Sequence, residues 1–265
     1  MINIIRSINY STRRNMAVVI TVLSMIALPF LVAVYAMGES LTEINGAEYY
    51  CRMLGEMFFL VLFAVMILSC IPAASDAGDK TLNYELMAGH SRKKVFWART
   101  VAGIMWGVIL AAALYYLPLP VFGFIGGWYQ GVSVKDVVTR IVLSLLPMFR
   151  ITAFCIMLAS IFRSAGKGIG FSFLAFEAAD ILWEVICGLL HLKDDACPYV
   201  MGMLNLVELH TLSNARDYVI EGERVTVYDT AVTPQLMYLT IIVSLVTGIL
   251  YLTIAYADFK RRDRD

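Results

Sequence analysis

The chain alternates long apolar runs with short polar stretches. Six runs approach or exceed the roughly 20 residues that a helix needs to cross a bilayer; they cover residues 16–37, 57–74, 95–124, 137–162, 168–192 and 234–257. The pattern predicts an all-α polytopic membrane protein with six transmembrane helices in a single domain. Pro118 and Pro120 interrupt the third run, so we expect its helix to kink or break there.

Two further segments lie outside the runs. Residues 2–14 predict an amphipathic helix in the membrane interface, with Ile2, Ile5 and Ile8, together with Ile4, along one side and three arginines left for lipid head groups. Residues 193–233 are too long for a simple connection and predict a small outer subdomain. Within it, alternating residues on either side of Gly222 predict a β-hairpin.

The composition supports a membrane protein. Hydrophobic residues make up 60 % of the 265 residues, charged residues 16 %, and the mean hydropathy is +0.73. Soluble domains average about 45–50 % apolar and about 25 % charged residues. This composition excludes a disordered chain and argues against an ordinary soluble enzyme. Basic and acidic residues balance at 21 each, which gives no sign of nucleic-acid binding.

The positions of the basic residues predict the orientation. Counting along the six runs, 14 of the 21 Lys and Arg residues fall on the side of the two termini, six fall on the other side, and Arg150 lies inside the fourth run. Cytoplasmic loops carry the excess of Lys and Arg. Both termini are therefore expected in the cytoplasm.

The inner loop over residues 76–94 carries the most informative short motif. A short helix there would place Leu82 and Leu86 on one side. Gly89 would end it with a left-handed cap, and Ser91 would cap the third span. Without other features, the basic residues of this loop would indicate only an anchor to anionic lipid.

The whole arrangement resembles the permease subunits of ATP-binding-cassette type-2 exporters. Those chains have an interfacial helix, six spans and a cytoplasmic coupling helix between the second and third spans. The family's loop commonly has an acidic residue, Gly-Thr, a short helix and a Ser-Arg pair. The matching residues here are Asp79, Thr81, Gly89, Ser91 and Arg92, while Lys80 stands where the family commonly has glycine.

This resemblance implies a function and partners. The chain would be a non-catalytic exporter subunit in a bacterial plasma membrane, moving an amphiphilic or peptide-like substrate. A separate ATPase would bind ATP and Mg and would dock on the 76–94 loop, while this chain would hold no cofactor. A second permease copy or a related permease would complete the assembly. The chain itself has no phosphate-binding loop, since Gly166-Lys167 is followed by Gly168 instead of Ser or Thr.

Three acidic residues in the fifth run form the main unexplained feature. Glu177, Asp180 and Glu184 are spaced to share one helical face inside an apolar segment. Charges at this depth are costly and normally face protein or water. With a rise of about 1.5 Å per residue, Asp180 and Arg150 both fall near mid-depth, which makes Asp180 the expected partner of Arg150. The remaining acids would line a substrate path or relay protons, so a proton-coupled secondary transporter is the alternative function.

Other chemistry finds little support. The three histidines are His90, His191 and His210, which fall in an inner loop, at an outer edge and in an outer loop, so no intramembrane zinc protease site is predicted. A membrane anchor or immunity protein without transport stays open as a third possibility. Cys51 and Cys197 share the outer side, and whether they pair is left open. The remaining cysteines fall in spans and are interpreted as packing residues; they are Cys70, Cys155 and Cys187.

Overall fold

The computed structural model describes residues 1–37, 44–55, 57–74, 89–128, 132–190, 215–220, 223–228 and 232–261. At Asp180, Glu184, a few neighbouring positions and both strands it describes the backbone alone. The elements in chain order are α1 (Ile2–Arg14), α2 (Met16–Met37), α3 (Gly46–Arg52), α4 (Phe58–Ala74), α5 (Arg92–Ile104), a π-helical segment (Met105–Leu110), α6 (Ala111–Tyr116), α7 (Pro118–Ile125), α8 (Val134–Phe162), α9 (Ala165–Leu190), β1 (Ala215–Ile220), β2 (Glu223–Tyr228) and α10 (Pro234–Arg261).

Each predicted run forms a helix or a series of helices. Among the described residues, four stretches are long and apolar enough to cross a bilayer, namely α2, the series from α5 to α7, α8 and α10. The apolar α4 is shorter, with 17 residues, and α9, with 26 residues, carries the three acids. The described part of the chain is therefore mainly helical and has the character of a membrane protein. The two strands pair antiparallel from Ala215 opposite Tyr228 to Ile220 opposite Glu223, which confirms the predicted hairpin.

The helix of the third apolar run breaks at Pro118, as its prolines predict. Pro118 begins α7 after Leu117, whose N–H bonds Leu114 O at 3.3 Å. Proline lacks the N–H that would continue the helical ladder. The π-helical segment in the same run was not predicted. It begins one residue after Ile104 and contains Gly107, at which the backbone packs closely against two other helices.

The centre of the bundle is α8, which packs against α4, α9 and α10. Glycines let the backbones approach closely. A Cβ at Gly107 would lie 2.8 Å from Thr152 Oγ1 and 2.9 Å from Ser69 Cβ, and one at Gly168 would lie 2.9 Å from Ala159 Cα. These glycines therefore fix the spacing of α8 relative to its neighbours.

The predicted N-terminal helix is present, but its packing side differs from the expected one. Ile4 and Ile8 are buried against α5, whereas Ile2 is 68 % exposed. Residues four apart along a helix, such as Ile4 and Ile8, share a face more closely than residues three apart, such as Ile2 and Ile5. The prediction that Ile2 shares this apolar side was wrong, because α1 turns its Ile4 face toward α5.

The opposite end of the bundle is closed by α7, which follows the predicted break, and by α3, which the sequence did not predict. Gly46 N–H donates to Gly127 O at 3.0 Å, and a Cβ at Gly46 would lie 2.8 Å from Gly123 Cα. Phe122 packs against Tyr49 with ring centroids 4.9 Å apart. The two short helices thus form a tightly packed cap on the bundle.

Candidate functional site

The loop that was predicted to couple to an ATPase is described only at its end. Asp79, Thr81, Leu82 and Leu86 lie outside the described residues. Gly89 has a φ of +80°, as expected for a left-handed cap. Ser91 is the N-cap of α5, which begins at Arg92, and its backbone carbonyl accepts bonds from Lys94 and Val95.

The expected side-chain cap is absent at Ser91. Its hydroxyl makes no capping bond, although the residue occupies the capping position. Ser91 therefore occupies the predicted capping position, but the predicted side-chain hydrogen bond is absent. The basic residues that follow, Arg92, Lys93 and Lys94, are exposed and form a positively charged start to α5.

Helix α1 packs directly against this start of α5. Ile4 and Ile8 contact a buried patch of α5 formed by Val95, Ala98 and Ala102. Further along, Trp106 Nε1 donates to Asn9 Oδ1 at 2.9 Å. We call this contact between the two helices the α1–α5 junction. It links α1 to both α5 and the π-helical segment.

The intramembrane charge cluster is centred on α8. Arg150 is only 2 % exposed, and its electrostatic neighbours include Tyr251 of α10. One turn along α8, the ring of Phe154 packs between Tyr251 and Phe176, with centroid distances of 5.2 and 5.3 Å. These contacts hold α9 and α10 against the part of α8 that carries Arg150.

Glu177 follows Phe176 on α9 and is partly buried. Its Oε1 is shielded from solvent and accepts no hydrogen bond from any residue that the structure describes. Helix α9 continues through Asp180 and Glu184, whose side chains lie outside the described part. The expected Arg150–Asp180 pair therefore stays a prediction. Burial of a polar atom without a hydrogen-bond partner is costly.

Two of the arginines that were counted toward the orientation are buried within helices. Arg99 and Arg140 were counted with the inner and outer loops, yet each is only 6 % exposed within α5 and α8. Both lie inside the predicted apolar runs, and this position was the sequence signal that they are buried. Arg140 lies near the α3 end of the bundle, where its electrostatic neighbours are Tyr50 and Cys51.

Cys51 lies on α3 as a free thiol, while Cys197 lies outside the described residues, so their pairing stays open. Burial raises the pKa of the Cys51 thiol to about 12, against the smaller lowering effect of Arg140. Burial also raises the pKa of Tyr49 and of Tyr50. These groups are neutral at physiological pH and suit packing rather than acid–base chemistry.

Comparison with known proteins does not assign the chain. No family model matches it, and no curated protein is significantly similar to it. Its function must be argued from the α1–α5 junction and the buried charges.

Proposed function

We propose that this chain is the transmembrane permease subunit of an ATP-driven exporter of the type-2 class. It would have six spans, both termini in the cytoplasm of a bacterium, and an amphiphilic or peptide-like substrate. The α1–α5 junction carries this proposal, because it makes the N-terminal helix and the start of the third run one packed unit beside the predicted coupling loop.

The junction suits the transmission of force. The 76–94 loop connects the end of α4 to the start of α5, and α1 contacts both of these helices. Motion of a docked ATPase would reach α5 through the apolar contacts of Ile4 and Ile8 and through the Asn9–Trp106 hydrogen bond. A loop that served only as a lipid anchor would have no need of such a link to the spans.

The six-span topology adds α4 and α9 to the four described stretches that are long and apolar enough to cross a bilayer. Helix α4 has 17 residues. At a rise of about 1.5 Å per residue it extends about 25 Å, which is close to the thickness of a bilayer core. The 26 residues of α9 exceed that thickness. Its acids would then face protein or a polar path, with Glu177 as one lining group.

The assembly would need partners that this chain lacks. A separate ATPase subunit would bind ATP and Mg, and a second copy of the permease or a related permease would complete the path. The chain itself would not be an enzyme and would bind no cofactor.

One observation favours a second candidate, a proton-coupled secondary transporter. The buried Glu177 Oε1, without a donor among the described residues, is the kind of group that takes up a proton in transport. In this case the acids of α9 would drive the cycle, and the α1–α5 junction would be structural only.

Transport in proteoliposomes separates the two candidates. The chain, with any ATPase that co-purifies, is reconstituted and tested with a fluorescent amphiphilic peptide under two driving forces: ATP without a pH gradient, and a pH gradient without ATP. The exporter proposal expects flux only with ATP. Flux driven by the pH gradient alone, abolished by Glu177→Gln, would overturn the exporter proposal and support the alternative.

Two matched variants test the role of the junction. Ile8→Asp buries a charge against α5 and is expected to abolish ATP-driven flux, whereas Ile2→Asp places the same charge at an exposed position of α1 and should retain it. Membrane insertion of both variants is compared by thiol labelling. Equal flux in the two variants would show that the junction does not transmit motion.

A further inference from the structure

Helix α1 has two faces of different character. Ile4 and Ile8 are buried and pack against α5. Arg6, Tyr10 and Arg13 form a second series, which starts two residues after Ile4. An offset of two residues is about 200° around a helix. This second series therefore lies on the side of α1 that points away from α5.

The side chains of the second series are accessible. Arg6 and Arg13 are exposed, and Tyr10 is 59 % exposed. The guanidinium of Arg14 lies over the ring of Tyr10, 4.2 Å from the ring centroid. Such a cation–π contact orients the guanidinium, whose N–H donors point outward in its plane. We call these four residues the arginine face of α1.

The arginine face presents charge of one sign. Helix α1 contains three arginines and no acidic residue. In the described part of the chain, neither Arg6 nor Arg13 has an ion-pair partner. Lys93 and Lys94 are also exposed, in the first turn of the helix against which α1 packs. This surface therefore suits an anionic ligand.

The aromatic residues around α1 indicate its depth. Helix α1 packs against Val95 and Ala98 of α5, and Trp97 lies between these two positions. Trp97 is 38 % exposed and stacks against Tyr256 of α10, with ring centroids 6.4 Å apart. Tryptophan and tyrosine are enriched where a membrane meets water. This pair therefore marks the level of the lipid head groups, and α1 lies at that level.

We propose that the arginine face of α1 binds the phosphate groups of anionic phospholipids and prefers them to zwitterionic lipids. Guanidinium groups bind phosphate through paired, charge-assisted hydrogen bonds. Basic side chains near the membrane surface add to the attraction for anionic lipid. Helix α1 then connects the bundle to the lipid, because one face contacts α5 and the opposite face contacts the head groups.

Site-specific photo-crosslinking in nanodiscs tests this proposal. The purified full chain has p-benzoylphenylalanine at Ser7, an exposed position next to Arg6. The nanodiscs contain equal amounts of phosphatidylglycerol and phosphatidylcholine, and mass spectrometry measures the ratio of the two lipids crosslinked to α1. We expect at least about fivefold more phosphatidylglycerol. The preference should decrease in about 1 M salt, which screens exposed charges.

Substitutions assign the preference to the arginine face. Arg6→Gln and Arg13→Gln should each lower the ratio, and the double variant should bring it to within about twofold of one. Lysine at both positions should retain a preference, because the charges remain. The matched control is Lys167→Gln, which removes an exposed basic residue in the first turn of α9 and should leave the ratio unchanged. Circular dichroism and size-exclusion chromatography check that each variant is folded.

A ratio near one in the folded parent protein would overturn the proposal, as would a preference that the double glutamine variant retains or that Lys167→Gln removes equally. Irradiation in native membranes tests the other occupant. A crosslink from Ser7 to a second protein in place of lipid would assign the face to a protein partner and would also overturn the proposal. None of these results depends on whether the chain transports a substrate.

Discussion

Helices α8 and α10 are nearly equal in length and apolar character, yet they occupy different environments. In α8, 61 % of the most apolar stretch is buried, whereas in α10 the value is 22 %. The difference lies in their polar residues: α8 places Arg140, Ser144 and Arg150 on buried faces, while α10 buries one narrow stripe that includes Thr240 and Ser244. Hydropathy therefore predicts that a helix enters the membrane, and only the packing, which buries several faces of α8 and one stripe of α10, shows which helix lies at the centre of the bundle.

The largest expected effect is at Arg150. If Asp180 is its partner, Arg150→Leu leaves a buried carboxylate without its cation and should destabilise the protein by about 3–5 kcal/mol. Adding Asp180→Asn should restore much of the loss, and adding Glu184→Gln should restore less. The measurement is a double-mutant cycle on thermal stability in detergent, and additive losses for Arg150 and Asp180 would show that they do not interact.

A pair of glycine substitutions tests the close packing against α8. Gly107→Ala places a Cβ 2.8 Å from Thr152 Oγ1. The resulting overpacking should cost about 1–3 kcal/mol of stability. The control is Gly170→Ala on α9, where nothing lies within 4 Å of the new Cβ, and it should be neutral or slightly stabilising because alanine favours helix. Thermal unfolding in one detergent compares them; equal effects would contradict the central position of α8.

Removal of a buried hydroxyl should lower stability where the hydroxyl is bonded to α8, and should not lower it where an unbonded hydroxyl lies on α10. Tyr116 Oη and Ser144 Oγ of α8 share a hydrogen bond of 2.5 Å, so Tyr116→Phe should cost about 0.6 kcal/mol. Thr240 Oγ1 of α10 is buried without a partner in the described part, so the isosteric Thr240→Val should be neutral or stabilising. Loss of stability in Thr240→Val would show that its hydroxyl has a role in the contact with α8.

The smallest expected effect concerns the reactivity of the Cys51 thiol on α3, which lies near Arg140 in the first turns of α8. Because burial raises the pKa of Cys51 to about 12, its thiolate fraction at about pH 8 is small, and it increases as the pH approaches that value. Alkylation of a chain that retains only Cys51 should therefore be slow near pH 8 and should accelerate up to the highest pH at which the fold persists. A rate that levels off at about pH 9 would mean that the thiol is effectively exposed.

Sequence analysis located the helices well and their contacts poorly. The apolar runs located every long helix, and the residues around Gly222 located the hairpin, because both signals are local. The buried face of α1 could not be assigned, because an amphipathic helix can pack through Ile4 or through Ile2, and only the surface of α5 decides. The π-helical segment and the hydrogen bond from Cys70 Sγ of α4 to Cys155 O of α8 likewise depend on how the helices meet.

The most direct test of the exporter proposal is whether an ATPase binds this chain. The tagged chain is purified from native membranes in mild detergent, and the preparation is tested for a second subunit that hydrolyses ATP. We expect such a subunit in equal amount with the permease, and we expect it to be lost in Leu82→Asp and Leu86→Asp although both variants insert normally. A purified chain with no ATPase in any mild detergent, or an association unaffected by both substitutions, would contradict the exporter proposal.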